Sequence, residues 1–409
     1  VEVPGTKGGP LAFHETLMTV LVEAGCIRSK ADRCLVFLPT KGSSLSIHVD
    51  DGFGWGTNQE IEWLKEVLSE RFIMKLWVIP IGESEDFTGL TITEEHDGVQ
   101  IDQSKYVGKA LKGVKLSAAR QKRNSALITE AERSEGRSAL GGLRWVHRTA
   151  VEIGFDLNRC ASWITNDQCD VGVLVRINKM IKMIQKGQKG IFLPKLEASL
   201  PLKVTLVTDA GEPQDDAVYR GRWQGCILIG MQSEQSTDTD WWTHGDHQDV
   251  DAFCFTYWRM GLTRRVANSS YDGESNTFIE GSDVALSIQD LVDEFEFGVQ
   301  PTLWERHSRE YTPDTEETVQ IDGHTDARDL VDATNSQVYP AGFAKRRKAD
   351  IFDVQDLQQM GKMKRLKKIL GVTNPADAGT KKQSWESTPF RRMRNMTQGW
   401  YTPDLRSKT

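Results

Sequence analysis

Six carboxylates have the residue type and placement that divalent-cation chemistry asks for. Asp50 and Asp51 are adjacent, in Ile47-His48-Val49-Asp50-Asp51-Gly52, and Asp209, Glu274, Asp326 and Asp377 are spread through the second half. Hard cations such as Mg²⁺ take carboxylate and phosphate oxygens. Two of them close together activate a water and stabilise a leaving oxygen during phosphodiester chemistry. Singly, none of these acids carries that reading: Asp-Asp-Gly suits any hairpin turn, and acids at element ends are mostly caps. What gives them weight is the set of elements that must position them.

Around the first pair, Leu45, Ile47 and Val49 alternate and Gly52, Gly54 and Gly56 follow. The pattern predicts a β-hairpin with the carboxylates at its tip. A helix over residues 12 to 25 and a strand at 34 to 38 precede it. A helix capped by Asn58, with Ile61, Leu64, Val67, Leu68 and Phe72 on one face, follows. Strands are expected at 87–92 and 99–101, then a helix from Gln103, a polar linker over 116–135, and helices at 137–151 and 171–185.

From Pro201 the pattern changes to strands at 202–209, 225–230, 252–258 and 264–268, then a helix at 272–295. A strand at 318–325, a helix at 326–333, a basic segment and a junction at 370–382 complete it. This is an α/β (α+β) layer fold with a mixed sheet. Its acids come in the order strand Asp209, helix Glu274, strand Asp326, late-helix Asp377. Asp322 lies four residues before Asp326 on the same strand face, so only one of the two need be a ligand; Asp326, at the strand end, is preferred.

At 409 residues, 38% of them hydrophobic and 27% charged, the chain is long enough for two or three cores. No apolar run has the length of a membrane span and no signal-peptide pattern opens the chain, so no membrane partner is expected, and the setting is intracellular, a cytoplasmic particle or the nucleus. A start at Val1 fits a processed product, a polyprotein segment or an incomplete gene model. The six cysteines form no Cys-x-x-Cys pair, which argues for reduced thiols and against a zinc knuckle.

The net charge of −7 excludes a polycationic coat, but the charge is uneven. Residues 345 to 368 hold nine Lys or Arg against three Asp. There Lys345, Arg346, Arg347 and Lys348 suit phosphate-backbone contacts or a nuclear-localisation signal. His244, Asp246, His247, Asp249 and Asp251 lie in an acidic stretch expected to be a solvated insertion rather than a zinc site. Trp241 and Trp242 are candidates for base stacking, whereas Trp223 and Trp258 read as core or rim residues. The segment 385–409 shows no helix or strand period and is expected to be a basic, disordered tail.

Eight blocks in collinear order resemble the C-terminal part of a copia-type retrotransposon Pol polyprotein, from the distal reverse transcriptase into RNase H. They are Gly25-Cys26-Ile27-Arg28-Ser29-Lys30-Ala31-Asp32; His48-Val49-Asp50-Asp51, similar to a Tyr-x-Asp-Asp box with His for Tyr; and Asp86-Phe87-Thr88-Gly89-Leu90 with Gly98 and Gln103-x-x-Tyr106. Next come Arg137-Ser138-x-x-Gly141-Gly142-Leu143-x-Trp145; Thr208-Asp209-Ala210; Ser269-Ser270 with Glu274; Thr325-Asp326-Ala327; and Pro375-Ala376-Asp377-x-x-Thr380-Lys381.

The resemblance implies a partial polymerase palm over 1–115, a linker and helical connection over 116–200, an RNase H-like domain over 201–384 and the tail over 385–409. It implies Mg²⁺-dependent hydrolysis of RNA in RNA/DNA hybrids, with two ions (Mn²⁺ as a substitute) held by Asp209, Glu274, Asp326 and Asp377. Asp50 and Asp51 are the palm metal ligands it implies. The partners are the hybrid, the nucleic-acid backbone and the rest of the Pol polyprotein. The family's further palm Asp and its fingers precede the matched blocks, so no polymerisation by this segment alone is expected. The alternative expectation is a decayed, non-catalytic remnant with residual nucleic-acid binding.

Overall fold

The computed structural model describes residues 8–40, 42–73, 75, 78–187, 189–197, 199–212, 223–233, 252–267, 269–298, 318–336, 345–401 and 403. The acidic stretch with His244 and Asp246, together with Trp241 and Trp242, lies outside them. The fold is mixed α+β, in two compact units: residues 1–88 with 286–319, and residues 89–285 with 320–409.

In the smaller unit, helices α1 (Gly9–Glu23) and α2 (Asn58–Ser69) accompany a sheet of β1 (Ile27–Arg28), β2 (Leu35–Phe37), β3 (Ser44–His48) and β4 (Asp51–Trp55), in the order β1-β2-β3-β4. Leu17, Leu21, Val36, Ile47, Leu64 and Leu68 close its core. The expected hairpin is present. His48 pairs with Asp51, leaving Val49 and Asp50 as a two-residue turn.

The cap of α2 differs from expectation by one residue. Thr57, not Asn58, is the N-cap, in a capping box with Glu60. The Glu60 carboxylate also accepts from Ser43 Oγ at 2.7 Å and Thr40 N at 3.2 Å, which fastens the entry to β3. Burial works against its charge, but these donors win and hold its pKa down to about 2.

The larger unit begins with β6 (Leu90–Glu95), β7 (Gly98–Asp102) and β8 (Ile191–Pro194), antiparallel in that order; β5 (Ser84–Phe87) belongs to the smaller unit. Between β7 and β8 lie α3 (Ser104–Lys109), α4 (Ala118–Gln121), α5 (Glu130–Val146), α6 (Gly154–Trp163) and α7 (Val171–Gly187). Residues 116–135 are therefore not a plain polar linker. A second capping box, Thr129 with Glu132, starts α5 at Glu130, inside a stretch whose polarity hides it. Leu140, Leu143, Leu157, Leu174, Ile177 and Ile181 pack these helices together.

The main sheet contains β9 (Leu202–Gly211), β10 (Gln224–Ser233), β11 (Cys254–Leu262), β12 (Gln320–Thr325) and β13 (Lys367–Lys368), in the order β11-β10-β9-β12-β13. β9, β10 and β11 are antiparallel neighbours, whereas β12 runs parallel to both β9 and β13. The strand expected at 264–268 is absent among the described residues there. β11 itself continues to Leu262 and then turns at Arg264 and Arg265. β9 lies between two partners, and Val204, Thr205, Leu206 and Val207 are all fully buried, as a central strand covered on both faces requires.

Helix α8 (Ser270–Phe297) follows, then α9 (Arg328–Asn335), α10 (Lys345–Gln359) and α11 (Thr388–Thr397). The tail is not a disordered arm over its described part. Phe390, Met393 and Met396 recur at helical spacing, and all three are buried in one core with Val207, Leu228, Phe253 and Tyr401. Burial of three such side chains stabilises by about 5–9 kcal/mol relative to exposure. Their spacing was masked by the polar residues Arg391, Arg392, Arg394 and Asn395 interleaved on the other face. No helix among the described residues is long and apolar enough to cross a membrane.

Candidate metal centre

Asp209 sits near the end of β9, where its strand neighbour is Cys226 of β10. The parallel register pairs Val207 with His324. Carrying that register on by two residues brings Asp326, just past the end of β12, level with Asp209. Both acids thus leave the sheet at the carboxyl ends of parallel strands, the edge where α/β sheets present ligand sites.

The third acid comes from α8. Ser269 Oγ accepts from Asp272 N at 3.2 Å and closes the first helical turn, which places Glu274 one turn in. The helix approaches the sheet through small residues. A Cβ at Gly281 would lie 2.8 Å from Leu206 Cδ1, and one at Gly273 would lie 2.6 Å from Trp223 Cδ2. Backbone proximity of this kind brings a side chain as short as Glu to the strand ends.

Asp209, Glu274 and Asp326 converge: each offers a carboxylate oxygen, and the three oxygens lie within 4.8 Å of one another. Asp209 is buried, and the other two are half-buried. Asp209 Oδ1 and Glu274 Oε2 are buried without a hydrogen-bond partner among the described residues. Buried carboxylate oxygens without a partner, on residues whose carboxylates converge, are what a hard cation would satisfy, so the donor set fits a divalent ion. The electrostatics agree. Burial, then the charges of Asp326 and Asp377, push the Asp209 carboxyl up to about 7, against the relief given by Lys381. Burial and the charges of Asp209 and Asp326 drive Glu274 well above the ordinary range.

The supporting side chains come from the segment after β13. Thr380 Oγ1 donates to Asp209 Oδ2. Asn374 Nδ2 donates to Asp326 Oδ1 at 3.2 Å and to the Thr208 carbonyl at 3.1 Å, while its Oδ1 accepts from Ala376 N at 3.0 Å. One buried amide therefore orients Asp326 and ties it to β9. Neither role was visible from residue type, since Thr380 and Asn374 act across 171 and 48 residues of sequence. Their only signal was their place beside Asp377 in a Pro-Ala-Asp block.

Asp377 is on a 3₁₀ turn, Pro375–Gly379, rather than a helix. It is outside the converging trio. Its carboxylate accepts from Lys381 Nζ and from Gln383 Nε2, although its charge still acts on Asp209. Lys381, against the opposing effect of its own burial, is pushed up to about 12 by Asp209, Asp377 and Asp326.

Asp322 is likewise elsewhere. It is fully buried, paired with Lys367 at 2.8 Å and Lys203 at 3.4 Å, with His324 Nε2 at 3.4 Å. Burial opposes its charge, but His324, Lys367 and Lys203 hold its carboxyl well below the usual range. Asp322 is thus an internal counter-ion.

The structure does not group the remaining candidates with this site. Asp50 and Asp51 are exposed at the β3–β4 turn, and no third ligating side chain among the described residues joins them. Arg347 is not free to meet a phosphate: it is 5% exposed, with Nε donating to Asp272 at 2.5 Å and Nη1 to Asn276 at 2.8 Å and Asp350 at 2.9 Å. The four-residue basic run is helical, so its positions face different directions, and position 347 turns inward. Lys348, its neighbour, is half-buried. The side chains of Lys345 and Arg346 lie outside the described residues.

No known family model matches the chain, and a search of curated proteins returns no relative.

Proposed function

We propose that the larger unit is a metal-dependent phosphodiesterase of RNase H type, which hydrolyses the RNA strand of RNA/DNA hybrids and belongs to a copia-type retrotransposon Pol polyprotein. The observation that carries this reading is the convergence of Asp209, Glu274 and Asp326 from a strand, a helix and a second, parallel strand. The mixed order of the sheet and the collinear motif blocks support it.

Divalent ions bound there, two Mg²⁺ in this reading, would supply an activated water and a counter-charge for the leaving oxygen. The chain's own groups hold the geometry: Thr380 fixes one oxygen of Asp209, Asn374 fixes one of Asp326, and the sheet's parallel register sets their separation. Lys381 balances part of the negative charge while the carboxylates are bare. We assign the chemistry to this centre rather than to Asp50 and Asp51, which lack a third ligand among the described residues.

A labelled hybrid incubated with the full chain and Mg²⁺ tests the reading. Cleavage of the RNA strand is expected, and Asp209→Asn should remove it by more than the roughly 10–100-fold cost of losing an outer partner of a metal ligand. A second reading, a remnant that binds nucleic acid without cutting it, is favoured by one observation: Asp377 is engaged by Lys381 and Gln383 instead of joining the trio. Absence of cleavage by a folded chain that binds Mg²⁺ selects that second reading.

A further inference from the structure

A cavity of about 360 Å³ lies in the larger unit, between α6 and α7 on one side and the segment 378–390 on the other. Its size is in the range of small-ligand sites. Four cations line it: Arg176 and Lys179 from α7, and Lys381 and Lys382 from the turn after Asp377. Trp385 forms part of the wall, with Lys179 Nζ 5.2 Å from its ring centroid.

Three acids also line the cavity, and they differ in what they can oppose. Asp156 is already paired with Arg176 at 3.1 Å. Glu152 is held above the ordinary carboxyl range by burial. Glu386 is exposed at the rim. Lys381 is committed to Asp377, whereas Lys179 and Lys382 form no ion pair among the described residues. Two ammonium groups without an ion-pair partner among the described residues, one of them, Lys179, over the indole of Trp385, make a surface for a phosphodiester strand: the charges meet phosphates, and the ring supplies an aromatic surface for a base.

Lys381 places the cavity relative to the carboxylates. Its side chain lines the cavity, pairs with Asp377 and acts electrostatically on Asp209 and Asp326. We infer that this cavity is a nucleic-acid subsite, in which Lys179 and Lys382 bind the phosphates of the strand that continues away from the Asp209 centre and Trp385 stacks on one of its bases. The inference rests on the proposed phosphodiesterase reading and extends it to the helical region, whose α7 would then contribute directly to substrate binding.

The test is binding of a fluorescent RNA/DNA hybrid by the full chain in EDTA, where cleavage does not interfere, measured by anisotropy from 50 to 200 mM salt. Lys179→Gln with Lys382→Gln should weaken binding about tenfold at 100 mM salt and lower the slope of log K against log salt by about 2. Lys179→Arg with Lys382→Arg should restore both, which a merely structural role for the lysines would not predict. Trp385→Phe should weaken binding less than Trp385→Ala. An unchanged affinity and slope in the Gln pair overturns the subsite, as does a wild-type chain that binds no hybrid. Should the Gln pair fail to fold by circular dichroism, the single variant Lys382→Gln, an exposed position, carries the same test with a slope change of about 1. Cleavage with unaltered binding in the variants sinks the subsite and leaves the phosphodiesterase reading standing. Lysine-dependent binding without cleavage does the reverse.

Discussion

Asp209→Asn should make the metal-free protein more stable at pH 8. Asp209 is 1% exposed, and burial together with Asp326 and Asp377 lifts its carboxyl from 3.8 to about 7. Between pH 3.8 and about 7 the native state therefore keeps a proton that the unfolded chain releases. For this group alone, the native state is unpenalised below pH 3.8, loses stability as pH rises through the interval up to about 7, and carries the full penalty above it. At 1.36 kcal/mol for each pH unit of displacement, the penalty at pH 8 is on the order of 4 kcal/mol. Asparagine removes the charge and keeps an oxygen to accept from Thr380 Oγ1, so most of the penalty should vanish.

Calorimetric unfolding in EDTA at pH 8 and pH 5.5 reads this directly. The variant should exceed wild type by on the order of 2–4 kcal/mol at pH 8, with the gap narrowing at pH 5.5. Mg²⁺ in millimolar excess should then stabilise wild type in proportion to the logarithm of its concentration and leave the variant almost unmoved. A variant that is less stable than wild type in EDTA at pH 8 would refute the claim that these carboxylates repel one another in the absence of a cation.

Three further outcomes follow from the packing. Arg347→Ala removes the buried guanidinium from Asp272, Asn276 and Asp350, leaving Asp350 its pair with Arg265 at 2.8 Å, and should cost about 1–3 kcal/mol in chemical unfolding, while the salt slope of hybrid binding stays unchanged. Met393→Ala opens the core beneath α11, where Met393 is fully buried, and should cost about 2–5 kcal/mol; a loss below 0.5 kcal/mol would restore a dispensable tail. Val49→Asn relieves a β-branched residue held at φ 58° in the two-residue hairpin turn, and a gain of about 1 kcal/mol is expected in urea unfolding of the smaller unit.

The parts of this fold that were legible in the sequence share one property: their signal is local. The alternation of Leu45 and Ile47 and the following glycines are enough to mark a hairpin, but its turn falls at Val49 and Asp50, with Gly52 and Gly54 inside β4. Val204, Leu206 and Val207, with only Thr205 between them, mark a buried strand in the same way. What stayed hidden is set by partners far along the chain. β8 has four residues and takes its place only by pairing with β7, about 90 positions earlier. Helix α11 is amphipathic, but three arginines and an asparagine disguise the stripe that Phe253 and Tyr401 cover.

The same distinction separates the carboxylates. Residue type marks all six as candidates, yet only long-range placement sorts them. Asp322 and Asp326 are four residues apart, but Lys203 and Lys367 neutralise the first, while Asn374 turns the second toward Asp209. Asp377 stands in the longest of the four blocks that hold these acids, and its neighbours Lys381 and Gln383 occupy it. A carboxylate already neutralised by a paired lysine gains little from a metal ion: Asp322 and Asp377 have such partners, whereas Asp209 and Glu274 have no ion pair among the described residues and each keeps a buried oxygen without a hydrogen bond. The unmet hydrogen-bonding capacity of those two oxygens, rather than the number of nearby acids, is therefore the feature that points to cation binding at this centre.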